Sequence, residues 1–372
     1  MNECIRVLHV IGTMNRGGAE TMIMNLYRNI DRNLIQFDFI ENTLKECDYD
    51  TEIRNMGGII YKCPHYNGKN HFQYIKWWKD FFKNHKGQYE IIHGHLGSTA
   101  AVYLKIAKKN GLYTIAHSHN TDGTFDIKQL LYKFYSYPTR YVANYFFGCS
   151  YNAIIRRFGN RVVQNNNFSI LNNAIDIDKY IFNAFKRNEI RNSLNFSNND
   201  IIIGHVGRFE KQKNHEFLID VYRELYFENH NIKLVLLGDG GLKESIQEKV
   251  RTYGLTDSVN FIGVVNNVED YLNAFDLFIF PSLYEGLSVA AIEAQASGLR
   301  CVFSDTVDLK TDITGNVTFI SLNESAQEWK NTILPLLNNN YSREVKDKML
   351  KSGYDIKETS KWLQEFYMRL SK

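Results

Sequence analysis

The chain has 372 residues, of which 44% are hydrophobic and 23% charged, the composition of an ordinary globular protein long enough for two domains. Its five cysteines are odd in number and form no CxxC pair, which argues against a disulfide or zinc framework and favours a reducing compartment. We read no signal peptide at the start and no run near the roughly 18 apolar residues of a membrane span, so we expect a cytoplasmic protein.

Charge is unevenly distributed along the chain, whose formal net charge is +3. Residues 1–173 hold 21 Lys and Arg against 13 Asp and Glu, a net +8, whereas residues 174–372 carry a net −5. The basic half is therefore expected to face an anionic surface or ligand, with a chance distribution as the alternative. The excess is too small and too local to indicate nucleic-acid binding.

Both halves of the chain alternate short apolar runs with segments of helical spacing. The first half contains the runs IRVLHVIG, FDFIEN, GGIIYKC, YEIIHGHL, LYTIAHSH and NYFFGCS, and the second contains DIIIGHVGRF, IKLVLLGDGG, VNFIG, FDLFIFPS and LRCVFSD. Strands that alternate with helices in this way form parallel βαβ units. Because the runs are uniformly apolar, as in sheets buried on both faces, the sequence predicts two doubly wound α/β domains.

The domain boundary is predicted in the Asn-rich stretch QNNNFSILNNAIDIDKY, which interrupts the alternation. We expect an N-terminal domain of residues 1–173, a C-terminal domain of residues 174–355, and a final amphipathic helix, 356–372, that packs back towards the N-terminal domain. Ligands of such sheets bind outside the carboxyl ends of the strands, so polar residues directly after a strand are the candidates for a site.

In the N-terminal half, glycines and histidines follow predicted strands. Gly17 and Gly18 precede a helix and would let the backbone approach a ligand, although a tight turn explains the pair equally well. The HGHLG and HSHN motifs put four histidines at neighbouring strand ends: His93, His95, His117 and His119. Because no carboxylate accompanies them, we predict no metal site, and we favour hydrogen bonding of His117 to a sugar or its acceptor.

In the C-terminal half, a basic turn follows the strand IIIGHV. Arg208 and Lys213 lie in this turn, and Asn214 is expected to cap the helix that comes next. A guanidinium and an ammonium at the carboxyl edge of a sheet can grip a pyrophosphate. A solvated basic turn is the simpler alternative.

Glu285 and Glu293 lie in FPSLYEGLSVAAIEAQAS, which reads as a strand, a turn and an apolar helix. The N-terminus of a helix favours phosphate, and a carboxylate beside it can accept hydrogen bonds from the hydroxyls of a neutral polyol. Phosphate flanked by two polyols describes a nucleotide sugar. A helix start with an acidic first turn is the alternative that this stretch alone leaves open.

Taken together, these motifs resemble the retaining glycosyltransferases of the GT-B fold, specifically the large family-four group with its E-x7-E signature. The resemblance rests on GGAE, GRFEKQKN, GDGG and FPSLYEGLSVAAIEAQASG, which follow the family's order and spacing over nearly the whole chain. HSHN and QASGLRC look most like the branch that builds bacterial capsule and exopolysaccharide repeat units. The resemblance implies two Rossmann-like domains that face each other across a cleft.

The resemblance also implies a role for each candidate residue. Arg208 and Lys213 would hold the donor diphosphate without a metal ion or another cofactor. Glu285 would hold hydroxyls of the transferred sugar, which His117 also touches, and Glu293 would hold the ribose. The other implied donor contacts are Gly17 and Gly18 at the diphosphate, Gly286 and Leu287 at the β-phosphate, Ser288 beside the sugar, and Gly263, Val264 and Val265 at the base.

The implied activity is transfer of a hexose from a nucleotide sugar, a UDP-sugar, to a lipid-linked glycan in capsule or exopolysaccharide biosynthesis. Since no second carboxylate is evident, we favour front-side attack over a covalent intermediate. Ser288 and Arg300 stand where many members of the family have proline, so the choice of donor cannot be carried over. A sugar-nucleotide epimerase of the same fold, and a nucleotide-sugar-binding protein without catalysis, remain alternatives.

One basic, aromatic segment suggests where the acceptor meets the protein. HFQYIKWWKDFFKNHK mixes aromatic and basic side chains, namely Phe72, Tyr74, Trp77, Trp78, Phe81 and Phe82 with Lys76, Lys79, Lys83 and Lys86. Such a helix can lie at a membrane interface, and a helix packed on the sheet is the alternative. Together with the net charge of +8 of its half, the segment predicts peripheral docking to an anionic surface at the inner face of the plasma membrane.

Overall fold

A computed structural model describes residues 4–119, 134–197, 199–285, 288–337 and 341–371. The strands are β1 (Ile5–Ile11), β2 (Ile35–Glu41), β3 (Ile60–Lys62), β4 (Ile91–Gly94), β5 (Tyr113–Ser118), β6 (Tyr145–Gly148), β7 (Phe168–Ile170), β8 (Ile201–Val206), β9 (Ile232–Leu237), β10 (Val259–Gly263), β11 (Leu277–Phe280), β12 (Arg300–Ser304) and β13 (Val317–Ile320).

The α-helices of the described residues lie between the strands or follow the last strand. They are α1 (Gly18–Asn29), α2 (Asp50–Asn55), α3 (His71–Asn84), α4 (Ala100–Lys109), α5 (Thr139–Val142), α6 (Tyr151–Phe158), α7 (Asn160–Gln164), α8 (Ile177–Tyr180), α9 (Ala184–Ser193), α10 (His215–Glu228), α11 (Lys243–Thr252), α12 (Val268–Ala274), α13 (Val289–Ala296), α14 (Ala326–Leu337), α15 (Lys346–Lys351) and α16 (Ile356–Leu370). Short 3₁₀ turns occur at Gly97–Thr99, Lys211–Lys213, Thr256–Ser258 and Leu309–Thr311.

The strands form two separate parallel sheets. One has seven strands in the order β3-β2-β1-β4-β5-β6-β7, and the other has six in the order β10-β9-β8-β11-β12-β13. Each order starts at a central strand, runs to one edge, returns and continues to the other edge, which is the doubly wound topology of a Rossmann fold. The predicted α/β class with two such sheets is confirmed. The edge strands β7 and β13 were not predicted.

The chain divides into two compact units. The first comprises Met1–Ala174 with Ile356–Lys372, and the second comprises Ile175–Asp355. Helix α16 belongs to the first unit, where it contacts α1 and β2. Its residues Leu363, Phe366 and Tyr367 are buried in the hydrophobic core that also contains residues of β1 and β2.

Helix α3 is packed on the first sheet. Tyr74, Trp78, Phe81 and Phe82 are buried with residues of β1, β4 and α4, while Phe72 is 85% exposed. The prediction that this aromatic face meets a membrane is therefore wrong for these four side chains, because they recur at helical spacing and form core. Across the described ranges, no helix combines the length and the apolar character that crossing a membrane requires.

Candidate active site

Three loops interlock at the carboxyl edge of the second sheet, after β8, β9 and β11. The backbone N–H of Gly207 donates to the carbonyl of Leu237, and that of Leu283 donates to the carbonyl of Gln212. Gly238 has φ +134°, and a Cβ atom there would overlap the Gly207 carbonyl. A side chain at this position is excluded, so the glycine allows the β9 loop to lie directly on the β8 loop.

Lys213 and Glu285 meet within these loops. The Lys213 Nζ atom lies 2.6 Å from Glu285 Oε2, and the two side chains are only 15% and 11% exposed. The ammonium also lies 4.5 Å from the centre of the Phe280 ring. Gln212, which sequence reasoning missed, donates to Glu285 Oε1 at 3.3 Å and to the Tyr284 carbonyl at 3.0 Å. The carboxylate is thus held in place by two side chains of the 3₁₀ turn.

Asn214 precedes α10, as predicted, but it does not cap the helix with its side chain. Its backbone is left-handed, with φ 56° and ψ 44°, and the side-chain amide donates to the Pro281 carbonyl at 3.1 Å. Asparagine tolerates this conformation better than most residues. The amide therefore ties the β8 loop to the β11 loop, which holds Lys213 beside Glu285.

Arg208 lies apart from this pair in its described contacts. Its guanidinium is 64% exposed and lies 3.1 Å from Glu210, which is itself 46% exposed. An exposed pair of this kind contributes little to stability, and a ligand can displace it at small cost. The role of Arg208 at the diphosphate stays a prediction.

Glu293 lies in α13 and is 9% exposed. The Tyr180 hydroxyl donates to its Oε1 atom at 2.6 Å, a partner that the sequence did not suggest. Burial raises the pKa of Glu293 to about 6, and the hydrogen bond from Tyr180 opposes this shift. The contact of Glu293 with a ribose stays a prediction. A ribose hydroxyl that binds there would meet a carboxyl group that already accepts a hydrogen bond from Tyr180.

The start of α13 is described only in part. Ser288 is its N-cap residue, with extended backbone and no side-chain hydrogen bond to the helix, and it is 8% exposed. Gly286 and Leu287, predicted to bind the β-phosphate, lie outside the described residues. The free N–H groups of this helix start nevertheless give the loop the character of an anion site.

The residues predicted to contact the base lie at the end of β10. Gly263 has φ +85°, and its carbonyl accepts a hydrogen bond of 2.8 Å from the Gly238 N–H. Val264 is 61% exposed, whereas Val265 packs against the core. A base that binds here would contact main-chain atoms and one exposed valine side chain. The contact of these residues with the base stays a prediction.

In the first unit, Gly17 and Gly18 form the start of α1. Gly17 is the N-cap residue, and a Cβ atom there would overlap the Glu20 carboxylate. Glu20 is the acidic residue of the first turn, where the helix dipole favours a negative charge. An anion that approaches this helix start would therefore have to displace Glu20, a residue that the sequence did not single out.

Five histidines, rather than the four predicted, lie together on β1, β4 and β5 or directly after β4 and β5. His9 Nδ1 lies 2.9 Å from His95 Nε2, and His95 Nδ1 lies 2.8 Å from His119 Nε2. His93 Nε2 lies 3.2 Å from His117 Nδ1. In addition, His93 Nδ1 lies 2.6 Å from the hydroxyl of Tyr367 in α16. His9 was missed because it stands inside an apolar run.

These imidazoles are electrically neutral; His9, His93 and His117 are buried, and His95 and His119 are half-buried. Burial lowers the pKa of His119 to about 4 and that of His9 to about 3, and it lowers the pKa of His117 well below the usual value. His117 is 4% exposed, and its Nε2 atom has no hydrogen-bond partner among the described residues. A neutral ring can either donate to or accept from a sugar hydroxyl, as predicted for His117.

The sequence model of the family described as "Glycosyl transferases group 1" matches residues 186–355. The chain is also 34% identical over 361 residues to EpsF of Bacillus subtilis (strain 168), a protein assigned to the glycosyltransferases, and the match covers 95% of this chain and 94% of EpsF. The chain belongs to the group 1 glycosyltransferases. The Lys213–Glu285 pair lies within the part that the family model matches, whereas Gly17, Gly18 and His117 lie outside it.

Two further relatives of this glycosyltransferase are bacterial glycosyltransferases, and one of them is named for capsular polysaccharide biosynthesis. It is 28% identical to the capsular polysaccharide biosynthesis glycosyltransferase CapH of Staphylococcus aureus, over 98% of this chain and 99% of CapH. Over 37% of this chain and 36% of the relative, it is 30% identical to an Escherichia coli enzyme named UDP-Gal:alpha-D-GlcNAc-diphosphoundecaprenol alpha-1,3-galactosyltransferase.

Among solved structures, HepE of Anabaena in complex with UDP matches 98% of this chain and 100% of its own, with a TM-score of 0.80 and 15% identity. At this identity the likeness establishes the fold alone. The predicted GT-B architecture, two Rossmann-like sheets of seven and six strands with their helices, is confirmed.

Proposed function

We propose that this group 1 glycosyltransferase transfers a hexose from a UDP-sugar to a lipid-linked glycan, with retention of configuration and without a metal ion. The observation that carries the proposal is the partly buried Lys213–Glu285 pair, which lies in the loops at the carboxyl edge of the second sheet. Ligands of doubly wound sheets bind at this edge. The E. coli relative is named for a UDP-Gal donor, which supports the choice of nucleotide.

The pair suggests how the donor is recognised. A diphosphate that binds beside α13 would draw the Lys213 ammonium away from Glu285, because two phosphates offer more negative charge than one carboxylate. The released Glu285 oxygen could then accept hydrogen bonds from hydroxyls of the sugar. Arg208 would add a second positive charge, and the α13 N-terminus would add its dipole.

The same groups account for the chemistry of transfer. The bond between the anomeric carbon and the diphosphate oxygen breaks, and the acceptor oxygen attacks from the same face, which retains the configuration. The departing diphosphate takes the proton of the acceptor hydroxyl. Lys213, Arg208 and the helix dipole stabilise the charge that develops on the diphosphate, which is the role a metal ion has in other transferases. In this proposal, Glu293 holds the ribose, and Gly17, Gly18 and His117 keep the donor roles predicted above.

The acceptor proposal rests on an apolar groove in the first unit. This groove has a volume of about 900 Å³, and its lining includes Ile75, Val102, Ile106, Phe134, Tyr135 and Val142. Phe134 is 74% exposed and Tyr135 49% exposed, and Lys105 lines the groove as well. We assign this groove to the hydrocarbon chain of a lipid-linked acceptor, since an apolar lining that includes one lysine suits a polyisoprenoid diphosphate.

The experiment that tests the proposed reaction is release of the nucleotide. Purified protein is incubated with a panel of UDP- and GDP-sugars and a diphosphoundecaprenol-linked sugar, and both nucleotide and glycolipid are quantified. Release that requires the acceptor supports a transferase, and the anomeric coupling in the NMR spectrum of the product reports retention or inversion. Epimerised nucleotide sugar without acceptor would identify an epimerase, and binding without turnover would identify a non-catalytic protein.

A further inference from the structure

We propose that His95, His117 and His119 form a binding site for a divalent transition-metal ion, with Zn²⁺ as the ion tested. One ring nitrogen from each of the three lies within 4.8 Å of those of the other two. The sequence argued against a metal because no carboxylate is near. Three imidazoles without a carboxylate are, however, a known zinc ligand set that leaves a fourth position open. This inference does not depend on the reaction proposed above.

One pair of ring nitrogens is already near the separation that such an ion requires, and the third nitrogen lies within 4.8 Å of both. His95 Nδ1 and His119 Nε2 lie 2.8 Å apart. Around a tetrahedral ion with bonds of about 2.0–2.1 Å, ligand nitrogens are separated by about 3.3 Å, so His95 and His119 need to move apart by only about half an ångström.

A second set of contacts orients two of the three ligands. His95 Nε2 is held by His9 Nδ1 at 2.9 Å, which leaves Nδ1 to face His119. His117 Nδ1 is held by His93 Nε2 at 3.2 Å, and its Nε2 atom has no hydrogen-bond partner in the described chain. Metal-binding histidines usually have their second nitrogen fixed in this way.

The chemistry of the ligands selects the class of ion. Neutral imidazoles bind Zn²⁺, Ni²⁺ and Cu²⁺, whereas Mg²⁺ and Ca²⁺ prefer oxygen. His95 and His119 are only half-buried, so an ion has access from that side, in contrast to the fully buried His9 and His93. An ion bound to His117 Nε2 would prevent this nitrogen from contacting a sugar hydroxyl. We therefore expect the ion to inhibit any reaction that needs this contact.

The test uses the full chain without a polyhistidine tag, freed of metal with EDTA and then dialysed. Zn²⁺ binding is measured by calorimetry for the wild type and for H95Q and H119Q. Each variant removes one ligand, so we expect one ion per wild-type chain and at least about tenfold weaker binding in each variant. H65Q is the matched control, because His65 is exposed on the same unit, and it should bind like the wild type.

A spectroscopic measurement on the wild type covers the case in which a variant fails to fold. Co²⁺ in a four-coordinate nitrogen site gives intense visible absorption that Zn²⁺ abolishes, whereas six-coordinate surface binding gives a weak spectrum. Intense bands with one Co²⁺ per chain support the site. Absence of saturable binding, a weak spectrum, or undiminished affinity in both H95Q and H119Q would overturn it, and Mg²⁺ should not compete.

Discussion

Lys213 and Glu285 are 72 residues apart in the chain, and their side chains meet at 2.6 Å in a partly buried ion pair. The pair follows two neighbouring strands, β8 and β11, which bring the two loops to the same edge of the second sheet. When an anionic ligand leaves Lys213, the ammonium can pair with the Glu285 carboxylate again. The pair therefore suits a site that binds and releases a diphosphate.

The first prediction concerns this pair. K213A and E285A should each lower the rate of transfer by at least about a hundredfold, because each removes a group that stabilises charge or orients the sugar in the transition state. K211A is the matched control, since Lys211 lies in the same 3₁₀ turn but is exposed. Turnover near the wild-type rate in K213A or E285A, measured as nucleotide release with saturating acceptor, would remove these assignments.

A second prediction follows from the pKa of Glu293, which burial raises to about 6. The folded protein holds this proton more tightly than the unfolded chain, so the contribution to stability is full below a pH of about 4.5 and is lost as the pH rises through about 6. The shift corresponds to about 2 kcal/mol. E293Q should therefore raise the melting temperature relative to wild type at pH 8 more than at pH 4.5.

Tyr180 provides the control for that prediction. Its hydroxyl donates to Glu293 Oε1 and favours the ionised form, so Y180F should raise the pKa of Glu293 further and move the transition in stability to higher pH. A difference in melting temperature between wild type and E293Q that does not change between pH 4.5 and 8 would contradict the assignment.

The sequence predicts the sheets better than it predicts the contacts of the site. Uniformly apolar runs such as that of β11 mark strands buried on both faces, and this pattern places Arg208, Lys213 and Glu285 after strands. The edge strands β7 and β13 have three and four residues and contain Ser169 and Thr318, so neither stands out as a uniformly apolar run. The Tyr180–Glu293 hydrogen bond joins residues 113 apart, and nothing local in the sequence signals it.

Two errors of interpretation have physical causes of their own. A helix that lies on a membrane and a helix that packs on a sheet both carry aromatic side chains along one face. The periodicity of α3 therefore could not show whether Trp78 and Phe82 face a membrane or the protein core. His9 was overlooked for a related reason. Its neighbours in β1 are apolar, and only pairing with β4 brings it opposite His93.

A third prediction concerns a buried charge cluster in the first unit. Lys62 Nζ lies 2.8 Å from Glu41 Oε2 and 2.6 Å from Asp50 Oδ2, and both carboxylates are fully buried. K62M should destabilise the protein by about 3 kcal/mol, because it removes the cation that the two buried carboxylates share and leaves only Arg54, 3.8 Å from Asp50 Oδ2. The loss should be greater at pH 8 than at pH 5, since burial raises the pKa of Glu41 to about 7 and its protonation relieves the repulsion.

Thermal unfolding across this pH range checks that expectation. K79M is the control, because Lys79 is exposed on α3 of the same unit and the substitution removes the same charge. Equal melting temperatures of K62M and K79M would mean that the cluster does not depend on its lysine.

A fourth prediction separates catalysis from the proposed metal site. Transfer should proceed unchanged in excess EDTA, because Lys213, Arg208 and the helix dipole provide the positive charge at the diphosphate. Added Zn²⁺ should inhibit, and EDTA should reverse the inhibition. Loss of activity in EDTA that Mn²⁺ or Mg²⁺ restores would contradict a metal-independent mechanism while leaving zinc binding to the histidines a separate question.

The last prediction concerns the acceptor groove. Phe134 and Tyr135 are exposed aromatic residues on its lining, and a membrane that carries a lipid-linked acceptor would cover them. F134E should reduce flotation with vesicles of anionic lipid and undecaprenyl phosphate at least about fivefold, because a carboxylate at this depth opposes both the apolar contact and the anionic surface. F185E is the matched control, since Phe185 is 75% exposed but belongs to the second unit. Wild-type flotation that is the same with neutral and anionic vesicles, or equal loss in F134E and F185E, would refute docking through this groove.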